Sequence, residues 1–179
     1  SDLEFSLQWY EEFFNKPVWI SATLLSFKIA ILTMIFATFL GTLASLSLVR
    51  GKFKSKKIVY GALLSPLIMP FIIVAVSLYY FFAKINMIGS MWSLVLAHTV
   101  LALPFVVINV TASLQGLDIT FERAAISLGA NRLVTFIKVT FPLIRPGVIS
   151  GALFAFITSF DEVVIAIFLS GSRSVTLPK

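Results

Sequence analysis

The run IAILTMIFATFLGTLASLSLV, from Ile29 to Val49, contains no charged residue. About 20 apolar residues in a helix cross the ~30 Å of hydrocarbon in a bilayer, so this run predicts a membrane-spanning helix. Runs 58–83 and 85–117 are also free of charge, and a fourth, 146–171, is interrupted only by Asp161 and Glu162. Lipid cannot satisfy backbone N–H and C=O groups, so a span must be a helix or a strand of a closed barrel. The alternating pattern of a barrel strand is absent from the sequence. The sequence therefore predicts an all-α integral membrane protein.

The composition excludes several classes of function. Hydrophobic residues make up 59% of the 179 positions and charged residues 12%, which is far from a soluble domain. Without cysteine, thiol catalysis and disulfides are excluded, and we interpret the single histidine, His98, as a packing residue of the third span. We predict no catalytic residue and no metal site. We also predict no nucleic-acid partner, because the net charge of +6 is concentrated in loops.

The basic residues predict the topology of a single transmembrane domain, 1–179, with approximate spans 27–49, 58–83, 90–114 and 147–170. One short basic loop follows the first span and a longer one, 115–146, follows the third. By the positive-inside rule both face the cytoplasm, and the N-terminus lies outside. The basic residues of these loops are Arg50, Lys52, Lys54, Lys56 and Lys57, then Arg123, Arg132, Lys138 and Arg145.

Prolines interrupt two of these spans. Pro66 and Pro70 lie in the second span and Pro104 in the third. Proline removes a backbone donor and kinks a helix, and broken helices often line transport pathways. The alternative is that these prolines only shape the bundle.

The loop 115–146 is too long for a turn and has a helical pattern. Asp118 or Thr120 is suited to cap a first short helix with Glu122 in its first turn, and Gly129 is suited to end it. A second amphipathic helix is expected from about Arg132, ended by Pro142. The two helices form either a contact for another protein or an element that lies on lipid headgroups.

The segment ERAAISLGANRLVTFIKVTFP resembles the EAA loop of permease subunits of binding-protein-dependent ABC importers. That pattern is Glu-Ala-Ala, three residues, Gly, nine residues, Ile-x-Leu-Pro. The chain matches it at Ala124, Ala125, Gly129 and Pro142. It departs from it at three positions, because Arg123 occupies the glutamate position, with Glu122 one place earlier, and Val139 and Phe141 replace Ile and Leu.

Further segments are similar to the spermidine/putrescine branch of these importers. They are FSLQWYEEFF, WISATLLSFKIAILTMIFATFLGTLASLSLVR, LLSPLIMPFIIVAVSLYYFF and SFDEVVIAIFLSG. The resemblance implies a MetI-like ABC permease bundle in the bacterial inner membrane. It also implies that four of six expected transmembrane helices are present, together with a cytoplasmic coupling-helix loop.

The resemblance implies how the loop works. In such importers the loop helix sits in a cleft of a cytoplasmic ATPase, whose closing moves the attached spans. The implied coupling residues are Glu122, Arg123, Ala124, Ala125, Gly129 and Pro142. The implied partners are a second permease subunit, an ATPase dimer and an extracytoplasmic solute-binding protein. No phosphate-binding Gly-rich loop is present, so this chain should bind no cofactor, with ATP and Mg on the ATPase.

The acids of the fourth span are the candidate substrate pathway. If the helix runs continuously from Gly147 to Ser170, then Thr158, Asp161 and Glu162 lie at i, i+3 and i+4 and share one polar face. Ionisable groups in a span cost about 2.5 to 3.5 kcal/mol each on insertion scales, so they should face a cavity or a partner. They either line a pathway for a cationic substrate or form an ion pair or capping network that locks the bundle.

Three other functions compete with a polyamine importer. The chain could serve an ABC importer of another small solute, such as an opine, thiamine, iron or sulfate. A membrane scaffold or a proton-coupled carrier is the second alternative. A carrier would use Asp161 and Glu162 for titration but would leave the pattern of Ala124, Ala125 and Gly129 unexplained. A membrane enzyme lacks any recognisable catalytic constellation.

Overall fold

The computed structural model describes residues 17–169, with side chains from Trp19 onward. Every regular element in this range is helical, which confirms the all-α class. The elements are α1 (Pro17–Arg50), α2 (Lys56–Ile68), α3 (Phe71–Lys84), α4 (Met91–Gly116), α5 (Ile119–Ser127), α6 (Arg132–Thr135), a π-helical turn (Phe136–Thr140), α7 (Phe141–Phe160) and α8 (Val164–Leu169).

Most of the helix packing joins α1, α4 and α7, with α4 at the centre. A second cluster of buried residues adds α3 and α8 to α1 and α4. Val106 on α4 lies between two glycines of its neighbours. A Cβ on Gly41 of α1 would lie 2.8 Å from the Val106 Cβ, and one on Gly151 of α7 would lie 3.0 Å from the Val106 Cα. The glycines therefore allow the backbones to approach closely, as small residues commonly do between membrane helices.

The same face of α7 repeats small residues every four positions. Gly147, Gly151, Ala155 and Ser159 are all buried. A Cβ on Gly147 would lie 2.7 Å from the backbone oxygen of Asn109 on α4. The sequence predicts a close helix contact along this stripe, and the structure confirms it with α4 as the partner.

Three helical stretches of the described residues are long and apolar enough to cross a membrane: Trp19–Arg50, Met91–Gly116 and Arg132–Phe160. The segment predicted as span 58–83 is instead two helices, α2 and α3, that meet at 107° and pass the same test only as a pair. Met69 and Pro70 form the break, both with extended ψ angles. Pro70 has no backbone N–H to continue a helix, which is the physical reason for a break near the predicted prolines.

The prediction that Pro142 ends a separate loop helix is wrong. Helix α6 continues through the π turn into α7, so a single helix runs from Arg132 to Phe160. The N–H of Phe141 donates to the Phe136 oxygen, five residues back, at the end of the π turn. Pro142 follows directly, in the first turn of α7. In the π turn a backbone N–H bonds to the carbonyl five residues back, whereas in the α-helix it bonds four residues back. Because Pro142 has no N–H, this change leaves no backbone donor without a partner at Pro142.

The continuous helix expected from Gly147 to Ser170 is also corrected. Helix α7 ends at Phe160, and Asp161 is its C-cap, with its N–H donating to the Ile157 oxygen over 3.0 Å. Glu162 and Val163 are outside any helix, and α8 begins at Val164. Ser170 lies outside the described residues.

Candidate functional site

Helix α5 is a short helix capped at both ends. The Asp118 Oδ1 accepts from the Thr120 N–H over 2.9 Å at its start, as predicted. Gly129 follows its end at φ +90°, a conformation that glycine adopts without a Cβ penalty. The hydrogen bonds from the Thr120 hydroxyl and N–H lower the pKa of the Asp118 carboxyl, so the cap stays ionised. Asn131 then caps α6 by accepting from the Val134 N–H over 2.9 Å.

Glu122 connects α5 to two other elements. Its Oε1 accepts from Arg50 Nε at the end of α1 over 3.2 Å, and Arg50 Nη2 lies 3.2 Å from the same oxygen. The hydroxyl of Thr140, the last residue of the π turn, donates to that oxygen as well, over 3.2 Å. Arg50 also donates to the Leu117 backbone oxygen just before α5. Glu122 is thus engaged within the chain, which the sequence analysis did not foresee.

The other predicted coupling residues face outward or sit at the helix joints. Arg123, Ala124, Gly129 and Pro142 are exposed and Ala125 is half-buried. No residue of α5 is buried, although its face carries large apolar side chains. Phe121 is 56% exposed and Leu128 is 89% exposed. Contiguous exposed apolar surface of this kind marks a contact site.

Two further residues of this site, Leu128 and Arg50, are not among the residues predicted from the sequence. Leu128 could have been noticed because it is a large apolar residue directly before a glycine that ends a helix. From the sequence Arg50 indicates only the topology, since nothing local connects it to a residue 72 positions away. An open cavity of about 650 Å³ beside Arg50 is lined by Arg50, Lys52, Glu122, Ile126 and Arg132.

The break after α7 separates the three candidate pathway residues. Thr158 is half-buried on α7, Asp161 is exposed at its end, and Glu162 is buried. They do not share one helical face, because the helix ends before Asp161. The Glu162 Oε1 accepts from the N–H groups of Val164 and Ile165 over 2.9 and 3.1 Å, so its carboxylate caps α8.

Asp161 differs from Glu162 in its surroundings. Within residues 17–169 its side chain makes no ion pair or hydrogen bond, whereas Glu162 is held by backbone donors. The predicted pair therefore divides into one carboxylate that is used locally and one that is free to meet another molecule.

His98 is a buried residue of α4 that contacts Ser159, in the last turn of α7 before this break. Its Nδ1 is 2.9 Å from the Ser159 hydroxyl and 3.1 Å from the Ser159 backbone oxygen, and its side chain is buried as predicted. This contact joins α4 to the last turn of α7. His98 thus positions the end of the helix that carries Asp161.

Long apolar helices around a small-residue core, with a capped amphipathic loop between two of them, are the architecture of a polytopic membrane protein. The chain belongs to the family of binding-protein-dependent transport system inner membrane components, whose pattern matches residues 37–178. It is accordingly an inner-membrane permease, a transport protein and not a catalytic one, of the kind that works in a transporter complex with other subunits.

The chain is also similar in sequence to individual permease proteins. The chain is 37% identical to the spermidine/putrescine transport system permease protein PotC of Haemophilus influenzae, over 97% of this chain and 68% of the relative. It is 37% identical to the putrescine transport system permease protein PotI of Escherichia coli, over 97% and 64%. It is 30% identical to the molybdenum transport system permease protein ModB of Mycobacterium bovis, over 86% and 62%. The chain spans about two thirds of the length of these curated relatives.

Proposed function

We propose that the chain is a transmembrane subunit of an ATP-driven importer of polyamines such as spermidine and putrescine. It would form part of the translocation pathway together with a second permease subunit. An ATPase dimer that carries ATP and Mg, and an extracytoplasmic solute-binding protein, would complete the importer.

The substrate class follows from the relatives and from the charge at the break after α7. Two of the relatives described above are named for spermidine or putrescine, which are polycations at neutral pH. Asp161 offers an exposed carboxylate with no cation beside it in the described part of the chain. A carboxylate in a low-dielectric pathway raises the local concentration of cations, and it would repel an oxyanion.

The outward face of α5 supports docking on an ATPase. It combines small residues at Ala124 and Ala125, which allow close approach, with the exposed apolar side chains of Phe121 and Leu128. An apolar centre with a charged rim is the usual anatomy of a protein interface, and Arg123 and Arg132 supply such a rim. Glu122 is not part of that rim, because it is bound to Arg50.

The observation that carries the proposal is the continuous helix from Arg132 to Phe160. Its 29 residues extend roughly 43 Å at the rise of an α-helix. Its first turns contact α5 and its last residue precedes Asp161. A displacement of α5 would reach this helix through Glu122 and Thr140, whose side chains are hydrogen-bonded, and would move Asp161 at the other end.

Uptake by the complete transporter reconstituted in proteoliposomes tests the function. Labelled spermidine and putrescine should accumulate only with hydrolysable ATP and the binding protein, and molybdate, thiamine and ferric iron should not compete. Preference for one of those solutes would overturn the substrate class. Uptake driven by a proton gradient without the ATPase would identify a carrier instead.

A separate measurement tests the docking face. Ala124→Trp places a bulky side chain on exposed α5 and should abolish co-purification of the ATPase. Ala62→Trp is the matched control, since Ala62 is also exposed but lies on α2, outside the loop. Retention of the ATPase by the Ala124 variant would exclude this face as the docking surface.

A further inference from the structure

A second cavity, lined by residues other than those of the cavity beside α5, lies next to the basic loop. Its volume is about 370 Å³, within the range of roughly 300 to 1,000 Å³ that is common for small-molecule sites. The end of α1, the start of α2 and the last turns of α4 form its walls. The lining residues are Leu48, Val49, Lys56, Lys57, Tyr60, Ile108, Thr111, Ala112 and Gln115.

The charge of this cavity favours an anion. Two lysines line it, and none of its lining residues is acidic. Lys56 Nζ donates to the Val49 backbone oxygen over 3.3 Å, which fixes the ammonium at the cavity wall and leaves two further N–H groups. Lys57 is exposed and has no ion pair within the described residues.

Thr111 provides the second, independent observation. It is 7% exposed and lines the cavity, and its Oγ1 has no hydrogen-bond partner among residues 17–169. A buried hydroxyl without a partner costs free energy, typically about 1 to 3 kcal/mol. A ligand oxygen in the cavity would satisfy it, and the Gln115 amide and the Tyr60 hydroxyl are further polar groups of the same lining.

The surface beside the cavity is apolar. Helix α2 buries none of its residues; Ile58 is 76% exposed and Val59 is 39% exposed. Ile108 of α4, which lines the cavity, is also 39% exposed. A free inorganic anion would make no use of this surface, whereas the acyl chains of a lipid would cover it.

We propose that this cavity binds the phosphate of an anionic phospholipid headgroup, with Lys56, Lys57 and Thr111 as its contacts and the acyl chains along α2 and α4. Basic pockets between membrane helices on the cytoplasmic side are suited to such headgroups. This inference uses the position of the basic loop and does not depend on which solute is transported.

Lipid retention by the purified transporter complex tests the site. The complex is placed in phosphatidylcholine nanodiscs, and the binding of phosphatidylglycerol is measured by native mass spectrometry. Lys57→Gln should weaken binding about fivefold, the effect of one lysine near an anionic headgroup. Thr111→Val keeps the side-chain shape and should weaken it about two- to tenfold. Lys54→Gln is the matched control, because Lys54 is also an exposed lysine of this loop but does not line the cavity, and it should change binding less than twofold.

Three results would overturn the proposal. The first is an unmodified complex that retains no phosphatidylglycerol, which would mean that protein covers this face. The second is an equal loss in the Lys54 variant, which would indicate diffuse attraction by the whole loop. The third is displacement of the lipid by millimolar inorganic phosphate, which would identify a site for the free anion.

Discussion

Arg50 is the last residue of α1, and it binds Glu122 in the first turn of α5 through Nε and Nη2, each 3.2 Å from the same carboxylate oxygen. The two side chains are 24% and 15% exposed. A third donor, the Thr140 hydroxyl, occupies that oxygen as well. The loop helix is therefore tied to the first long helix and to the helix that leads to Asp161.

A double-mutant cycle measures this connection. Arg50→Gln and Glu122→Gln should each destabilise the protein in detergent, and the double variant should cost less than their sum by about 1 kcal/mol, since each single change leaves one charge unpaired. Arg123→Gln is the control, because Arg123 is exposed and has no ion pair in residues 17–169, and it should leave the melting temperature unchanged. Strictly additive effects would contradict a direct interaction.

Gly129→Ala isolates the cost of a backbone conformation. A Cβ at Gly129 meets nothing within 4 Å, but φ is +90°, so the substitution should destabilise the end of α5 by about 1 to 2 kcal/mol. Gly116→Ala is matched to it, because a Cβ there also meets nothing within 4 Å while no positive φ is required. Proteolysis of the loop should accelerate only in the Gly129 variant. Equal rates would show that the conformation is not needed.

The cap at Asp118 should depend on pH. Hydrogen bonds from Thr120 lower the pKa of Asp118 in the folded chain. Because the pKa of Asp118 is lower in the folded chain, the cap stabilises α5 fully above the ordinary Asp pKa, near 3.9. The cap loses this contribution as pH falls through the lowered pKa. Hydrogen exchange, corrected for intrinsic rates, should therefore show α5 losing protection in acid.

Asn131 supplies an internal control for that measurement. It caps α6 with a side-chain oxygen that does not titrate in this range. The start of α6 should keep its protection over the pH range in which α5 loses it. Asp118→Asn should remove the difference, and parallel loss at both caps would contradict the assignment to Asp118.

The two acids after α7 should separate stability from transport. Glu162→Ala removes the cap of α8 and should destabilise the protein by about 0.5 to 2 kcal/mol. Asp161→Asn removes no contact within the described residues, so it should leave the melting temperature unchanged and raise the KM for polyamine uptake. Unchanged uptake and solute preference in the Asp161 variant would exclude Asp161 from the pathway.

Much of this fold could be predicted from local sequence. Apolar length predicts α1, α4 and the span that contains α7, because the bilayer demands about 20 residues of internally bonded backbone. Local chemistry also predicts Asp118 as a cap and Gly129 as a stop, since both act on backbone within a few residues. The stripe from Gly147 to Ser159 predicts a close helix contact, although not its partner.

Other features required the tertiary structure. The local sequence pattern predicts a helix end at Pro142 and a continuous helix through Asp161, and both predictions are wrong. The π turn before Pro142 lets the helix continue although Pro142 has no N–H, and the acids occupy the end of α7 and the cap of α8. Helix propensities do not predict a π turn of five residues. The turn forms between α6 and α7, which pack against their neighbours.

The sequence by itself determined the class of protein, the loop helix and the positions of its ends, because hydrophobic length, capping and backbone conformation are local properties. Only the tertiary structure decided that Glu122 is bound to Arg50 and that α4 is the centre of the core. It also decided that, within the described residues, Asp161 makes no side-chain contact with a polar partner while Glu162 caps α8. These depend on which side chains meet across 72 or more residues of chain or at a helix break, and no local pattern encodes such distances.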